Sequence, residues 1–130
     1  MTADPQDDVS ARWWAAARER RLLVQICEAC GHRQHHPRSV CTRCGRTDSL
    51  GWTDASGVGT VDSFTVVHRA PAPGFEPPYV IARVRLAEGP LLLTRIVGCP
   101  PGTVRCDQPV RLAWWDRPDA DPLPVFRPEA

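Results

Sequence analysis

The sequence predicts a mostly β protein in which a short N-terminal helix and a cysteine-rich ribbon precede a five-stranded barrel. Three observations predict this class. Ala, Arg and Glu dominate residues 11–21, two Cys-x-x-Cys pairs follow, and short alternating runs separated by Gly and Pro fill the rest. A chain of 130 residues can bury about two thirds of its unfolded surface, so it can fold without disulfides. Its cysteines therefore need another explanation.

The first predicted segment, residues 1–21, is a tail followed by a helix. The tail, residues 1–8, is short and acidic, and we expect it to be disordered. Ser10 is the expected N-cap of the helix, because its hydroxyl can accept a hydrogen bond from the first turn. Trp13, Trp14 and Ala17 fall on one side of this helix at helical spacing, which predicts an apolar face.

The second segment, residues 22–52, contains both cysteine pairs. Each pair has two intervening residues and is followed by glycine, and ten residues separate Cys30 from Cys41. Glycine allows a positive φ, which lets backbone N–H groups turn toward the sulfurs. Two such turns supply four thiolates in a tetrahedron, which suits zinc and leaves no open position for a catalytic water. We therefore predict one structural zinc ion with four ligands: Cys27, Cys30, Cys41 and Cys44.

Two other chemistries use the same arrangement of cysteines. Cys-x-x-Cys pairs also form redox disulfides, and four cysteines also hold iron–sulfur clusters. The repeated pairs with their glycines favour zinc over both. His32, His35 and His36 are alternative ligands in principle, but a complete cysteine set makes them exposed loop residues.

The third segment, residues 53–130, reads as β structure. Four or five short strands with Gly and Pro between them favour a small barrel, and the count fits the oligonucleotide/oligosaccharide-binding (OB) type. In the clearest run, Val80, Ala82, Val84 and Leu86 alternate with arginines, which predicts one buried face. The expected strands are Thr60–His68, Tyr79–Leu86, Leu91–Val97, Val110–Trp115 and an edge at Val125–Phe126.

The charge balance excludes some classes of function. The 16 basic and 15 acidic residues leave a formal net charge of +1, whereas a broad nucleic-acid surface usually needs a basic excess. There is no lysine, so lysine Schiff-base chemistry is excluded.

No apolar run approaches the roughly 18 residues of a membrane span, and residues 1–8 do not resemble a secretory signal. We expect a cytoplasmic protein with reduced cysteines, and Cys99 and Cys106 as free, partly buried thiols.

These residues resemble the DUF35 family in order and spacing across about residues 10–128. The resemblance rests on the tryptophan pair, the two Cys-x-x-Cys-Gly turns and a series of motifs in the ribbon and the barrel segments. The motifs are Leu22-Leu23-Val24-Gln25, His36-Pro37-Arg38, Gly57-Val58-Gly59-Thr60-Val61, Ser63-Phe64-Thr65-Val66-Val67, Phe75-x-Pro-Pro-Tyr79 and Val125-Phe126-x-Pro128.

The resemblance implies a helical segment, a rubredoxin-like zinc ribbon and an OB-fold domain. It also implies an accessory subunit of an acyl-CoA enzyme of the thiolase superfamily, such as a lipid-transfer-type aldolase of steroid side-chain degradation. Because such enzymes are usually dimers, we expect a two-plus-two assembly in which the partner, rather than this chain, handles acyl-CoA.

Large aromatic side chains are common anchors of protein interfaces. Trp52 and Trp114 fit the core, whereas five other aromatic residues are candidates for the partner surface: Trp13, Trp14, Phe75, Tyr79 and Trp115. The proline-rich loop 70–78 is either a rigid connection or part of that contact. His68, which ends a strand, is expected to have a packing role.

Two further functions compete with the accessory subunit. Zinc ribbons and OB-folds both occur in single-stranded nucleic-acid-binding modules, which need stacking aromatics along a basic groove. Arg83 and Arg85 share one strand face, but only Tyr79 accompanies them. An independent acyl-CoA carrier or hydrolase is the third possibility, and the sequence shows no nucleophile–base pair for it.

Overall fold

A computed structural model describes residues 5–129, with side chains from residue 9 onward. One α-helix is followed by eight β-strands and a short 3₁₀ turn. The helix is α1 (Pro5–Arg18), and the strands are β1 (Leu23–Cys27), β2 (Arg33–Gln34), β3 (Leu50–Asp54), β4 (Val58–Val67), β5 (Tyr79–Leu86), β6 (Leu91–Ile96), β7 (Pro109–Trp115) and β8 (Leu123–Pro128).

The helix is longer at its start than the sequence predicted. It begins at Pro5, so Ser10 lies inside it and the expectations of an N-cap there and of disorder at residues 5–8 are wrong. Proline suits the first helical turn because its missing N–H would have no helical partner there, and the acidic residues that follow favour the helix N-terminus. The remaining tail, residues 1–4, lies outside the described part of the chain.

A three-stranded antiparallel sheet follows, in the order β2-β1-β3. Gln25 of β1 lies opposite Gln34 of β2, and Cys27 lies opposite Leu50 of β3. The first cysteine pair therefore begins where β1 ends, and the sheet holds that turn beside the loop carrying the second pair.

The other five strands form a closed barrel in the order β4-β5-β6-β8-β7. Neighbours pair antiparallel except β6 and β8, which run parallel where Ile96 lies opposite Phe126. Pairing of β4 with β7 closes the ring. The predicted OB-type barrel is thus confirmed, and it is closed.

The core fills the barrel and extends to the inner side of α1. The alternation predicted for β5 is confirmed, since Val80, Val84 and Leu86 are buried while Arg83 and Arg85 are exposed. From the helix, Ala16 and Ala17 join the same core cluster. Among the described residues, no helix is both long and apolar enough to cross a membrane.

Candidate functional site

The four cysteines of the two predicted turns meet at one point. Their sulfur atoms all lie within 4.8 Å of one another, with 3.7 Å between Cys27 Sγ and Cys44 Sγ and 3.6 Å between Cys30 Sγ and Cys41 Sγ. A tetrahedron with zinc–sulfur bonds of about 2.3 Å has edges of about 3.8 Å. The cluster therefore suits one structural zinc ion, as predicted, and the four thiolates would complete its coordination.

Two glycines shape the turns that hold these sulfurs. Gly31 and Gly45 both have φ near +80°, a conformation that other residues rarely adopt. The N–H of Gly31 donates to the carbonyl of Cys27 at 2.7 Å, and the N–H of Gly45 donates to the carbonyl of Cys41 at 2.9 Å. Each turn thereby brings the two sulfurs of its pair to the same side.

Without a metal, the pKa values of two of these thiols are shifted in opposite directions. Backbone N–H groups, first that of Cys44, lower the pKa of Cys41 to about 6. At Cys30 the N–H of His32 favours the thiolate, but burial and the neighbouring sulfurs outweigh it and raise the pKa to about 11. Binding of zinc to all four sulfurs would therefore release protons, which makes its affinity pH-dependent.

A buried pair of glutamines supports the loop between the cysteine pairs. Gln34 Nε2 donates to Gln25 Oε1 at 2.7 Å, and Gln25 exchanges two 2.8 Å hydrogen bonds with the backbone of Arg38. Gln34 also accepts from the N–H of Thr42 at 3.0 Å. Sequence reasoning missed this network, because the two-residue strand β2, which sets Gln34 opposite Gln25, was not predicted.

None of the three ribbon histidines belongs to the sulfur cluster. His32 contacts the hydroxyl of Thr42 at 3.1 Å, and His36 is exposed. His35 is mostly buried, with its ring centroid 6.0 Å from that of Trp13, so the expectation of an exposed residue is wrong there. Burial, and then the neighbouring His36, lower the pKa of His35 to about 4.

The second candidate site is an apolar pocket of about 450 Å³ between α1, the loop before β5 and the outer side of β6. All five aromatic residues predicted for the interface line it, although they come from positions 13 to 115 of the chain. The rings of Trp13 and Trp14 meet edge to face with 4.8 Å between their centroids, and the ring centroids of Phe75 and Tyr79 lie 5.6 Å apart. The structure thus gathers these residues into one concave surface.

The five aromatic residues differ in exposure. Trp14, Phe75 and Trp115 are partly exposed, whereas Trp13 and Tyr79 are only 7% and 6% exposed. Trp13 belongs to the core, where it joins the buried cluster that β1 shares with the barrel strands. The expectation that Trp13 is exposed is therefore corrected, although the residue still lines the pocket.

The pocket also contains residues that sequence reasoning did not select. The guanidinium of Arg95 lies 4.8 Å from the ring centroids of both Tyr79 and Trp115. Leu93, two residues earlier on β6, is 67% exposed at the pocket rim. Alternation along β6 was the available signal, since both side chains fall on its outer face.

The remaining predicted residues lie away from both sites. Trp52 and Trp114 pack against the core but keep some exposure. Cys99 and Cys106 are free thiols as expected, but Cys106 is exposed rather than partly buried. His68 is exposed at the end of β4.

Comparisons with known proteins agree with this architecture. A family described as "ChsH2, rubredoxin-like zinc ribbon domain" matches residues 14–49, and one described as "ChsH2, C-terminal OB-fold domain" matches residues 52–115. A DUF35 domain-containing scaffold protein of Methanocaldococcus jannaschii is 36% identical over 102 residues, covering 76% of this chain and 72% of the relative. This chain belongs to the DUF35 family.

Longer proteins contain a similar DUF35 region. A probable enoyl-CoA hydratase alpha subunit of Thermomonospora curvata is 43% identical over 121 residues, which cover 92% of this chain. A 3-oxo-4,17-pregnadiene-20-carboxyl-CoA hydratase alpha subunit of Mycobacterium tuberculosis is 34% identical over 110 residues, which cover 85% of this chain. This DUF35 chain spans only 37% and 35% of their respective lengths.

Among solved structures, the fold is similar to a chain of the "Ltp2-ChsH2(DUF35) aldolase". The TM-score is 0.88 at 40% identity, and the match covers 97% of this chain and 98% of the other. The likeness therefore extends over the helix, the ribbon and the barrel together.

Proposed function

We propose that this DUF35 chain is a non-catalytic subunit that binds and stabilises a thiolase-superfamily acyl-CoA enzyme in the cytoplasm. The aldolase named for the similar structure makes an aldolase the favoured partner. The steroid-derived thioester named for the mycobacterial relative favours steroid side-chain or related lipid substrates. In this proposal the partner carries out the chemistry and contacts acyl-CoA, and two copies of each chain assemble.

The observation that carries the proposal is the convergence of aromatic side chains on one pocket. Trp14, Phe75 and Trp115 remain partly exposed there, and exposed Leu93 extends the apolar surface beyond the pocket. A contiguous apolar surface with aromatic anchors is typical of a protein interface.

The zinc site supports a structural role for the ribbon. Four thiolates complete the coordination of zinc, so the metal would have no position for substrate or water. The ribbon instead holds the loop of His35 and His36, and both line the pocket. Zinc would therefore support the docking surface.

Single-stranded nucleic acid remains the competing ligand. A second cleft of about 570 Å³ lies between the ribbon and the β5–β6 turn, and four arginines line it: Arg33, Arg38, Arg43 and Arg85. Its described lining includes no Phe, Tyr or Trp, whereas modules of this kind stack bases on aromatic rings. The aromatic pocket therefore favours the protein partner.

Co-expression with a thiolase-like protein encoded beside this chain tests the proposal. We expect one peak in size-exclusion chromatography with light scattering, at the mass of two plus two chains. Trp14→Ala or Phe75→Ala should weaken the complex about thirtyfold, the usual loss for a central anchor.

Phe64→Ala is the matched control, because Phe64 is a 36% exposed aromatic residue that does not line the pocket. It should leave the complex unchanged. Separate elution of the two proteins at micromolar concentration, with retardation of single-stranded DNA by this chain at physiological salt, would replace the proposal with the nucleic-acid function.

A further inference from the structure

The outer face of β6 places an arginine at the centre of the aromatic pocket. Arg95 lies between the rings of Tyr79 and Trp115, with both ring centroids 4.8 Å from its guanidinium carbon. Stacking on two rings holds the plane of the guanidinium and leaves its edges as the donor surface. Arg95 is therefore arranged before any ligand arrives.

Among the described residues, no protein group accepts a hydrogen bond from this guanidinium. Its Nε is buried without a hydrogen-bond partner, and Arg95 makes no ion pair with any side chain described between residues 9 and 129. Neighbouring arginines do have acceptors. Arg18 pairs with the carboxylate of Asp121, and two nitrogens of Arg117, Nε and a terminal one, donate to the backbone carbonyl of Asp121. A buried donor without a partner is costly to retain unless a ligand satisfies it.

The pocket lining has the charge of a site for an anion. Its described residues include two arginines, Arg95 and Arg117, and no Asp or Glu. The remaining lining is mostly apolar. The complementary occupant is an apolar group that carries a carboxylate.

A polypeptide fits this surface better than a free small molecule. The apolar area continues out of the pocket onto Leu93, which is 67% exposed, and it includes the partly exposed Trp14 and Pro37. A small ligand confined to the pocket would leave these exposed apolar side chains in water, whereas a protein segment would cover the pocket and the surrounding side chains together.

We propose that the partner enzyme inserts an apolar segment bearing an Asp, Glu or C-terminal carboxylate into this pocket, and that Arg95 binds the carboxylate. The proposal rests on the proposed function and names the residue that selects the partner. A planar guanidinium can donate two parallel hydrogen bonds to a carboxylate, and a site removed from water strengthens them. Lysine would not reproduce this geometry.

The first experiment needs only this chain and two probes of equal length. Decanoate and decyltrimethylammonium are titrated while NMR follows the indole N–H of Trp115. Decanoate should bind at least about tenfold more tightly, in line with a charge-assisted hydrogen bond. Arg95→Met keeps an unbranched apolar stem and should abolish this preference. Arg83→Met removes an exposed arginine of β5 that does not line the pocket, and it should keep the preference.

The second experiment identifies the occupant. The partner enzyme should displace decanoate from the wild-type chain, and Arg95→Met should weaken the complex at least about tenfold while reducing its salt dependence. Equal binding of the two probes, or a preference that survives Arg95→Met, overturns the carboxylate site. A complex that leaves decanoate bound overturns the partner segment as occupant. If the wild-type chain does not bind the partner but still prefers decanoate, the proposed function and the partner segment are both wrong, while the carboxylate site stands.

Discussion

At the residue scale, the zinc ribbon depends on contacts that are few and local. Two glycines with positive φ aim the sulfurs, and the Gln25–Gln34 pair fixes the loop between the turns. A ribbon this small has little apolar core of its own, so the metal supplies much of its folding free energy.

Cys41→Ser should therefore release zinc and unfold the ribbon. Zinc binding to such sites contributes on the order of 10 kcal/mol of apparent folding free energy. Elemental analysis should give one zinc per wild-type chain and much less in the variant. Cys106→Ser, which changes an exposed thiol outside the cluster, should keep one zinc. Iron in the wild-type protein, or full zinc in Cys41→Ser, would contradict the assignment.

His35 should make stability fall as the solution becomes acidic. Its folded pKa of about 4 lies below the ordinary value of 6.5, so the unfolded chain takes up the proton first as pH falls. The contribution of neutral His35 to the free energy of unfolding is present above pH 6.5 and is lost progressively as the pH falls toward 4. Between pH 7 and 5.5 the wild type should lose about 1 kcal/mol more unfolding free energy than His35→Gln.

Urea unfolding at both pH values, in excess zinc, measures this difference. His68→Gln, which changes an exposed histidine, should follow the wild type. Identical pH dependence of His35→Gln and the wild type would mean that His35 is not held neutral.

At the scale of elements, α1 packs onto the core mainly through one face, next to β1 of the three-stranded sheet. Trp13, Ala16 and Ala17 are buried there, while Arg12 and Ala15 face solvent. A helix of this length is marginal in water by itself and gains its stability from such packing. The same helix forms one wall of the aromatic pocket, so its docking decides whether the pocket exists.

Trp13→Ala should reduce the unfolding free energy by about 3–5 kcal/mol, the usual cost of removing a large core aromatic side chain. The amide protons of α1 should exchange faster with solvent in this variant. Arg12→Ala, an exposed change in the same turn, should be close to neutral. Wild-type stability in Trp13→Ala would show that the helix does not depend on this ring.

At the scale of the whole molecule, the zinc ribbon, the helix and the barrel together surround one apolar pocket. Its walls come from α1, from the histidines of the ribbon loop and from β5 to β8. Loss of the ribbon would therefore damage a surface to which it contributes only three residues: His35, His36 and Pro37. In our proposal, this arrangement links metal content to partner binding.

The purified chain alone should show no turnover of acyl-CoA substrates. In our proposal the four clustered cysteines are committed to zinc, and the described lining of the pocket includes no Cys, Asp or Glu that could join its histidines in a nucleophile–base pair. Aldol cleavage and enoyl-CoA hydration are the two reactions to assay, with and without the partner. Steady hydration by the partner-free chain would instead favour a hydratase role like that named for its longer relatives.

Features that depend on short stretches of chain were predictable from the sequence. The spacing of cysteines and glycines determines the sulfur cluster because each turn is closed by its own backbone. Alternation determined which face of β5 is buried, since successive strand side chains point to opposite sides. The start of α1 was mispredicted because Ser10 fits an N-cap well, and Pro5 fits a first helical turn equally well.

Features that depend on distant contacts were decided only by the tertiary structure. Periodicity reports which side chains share a face, but not which element covers them, so it did not separate buried Trp13 from partly exposed Trp14. The parallel pairing of Ile96 with Phe126 joins strands far apart in sequence. The pairing of β6 with β8, and of β8 with β7, brings Arg95 close to Trp115 although the two residues lie on different strands. Neither strand's sequence shows this proximity, because it depends on the order of the strands in the sheet.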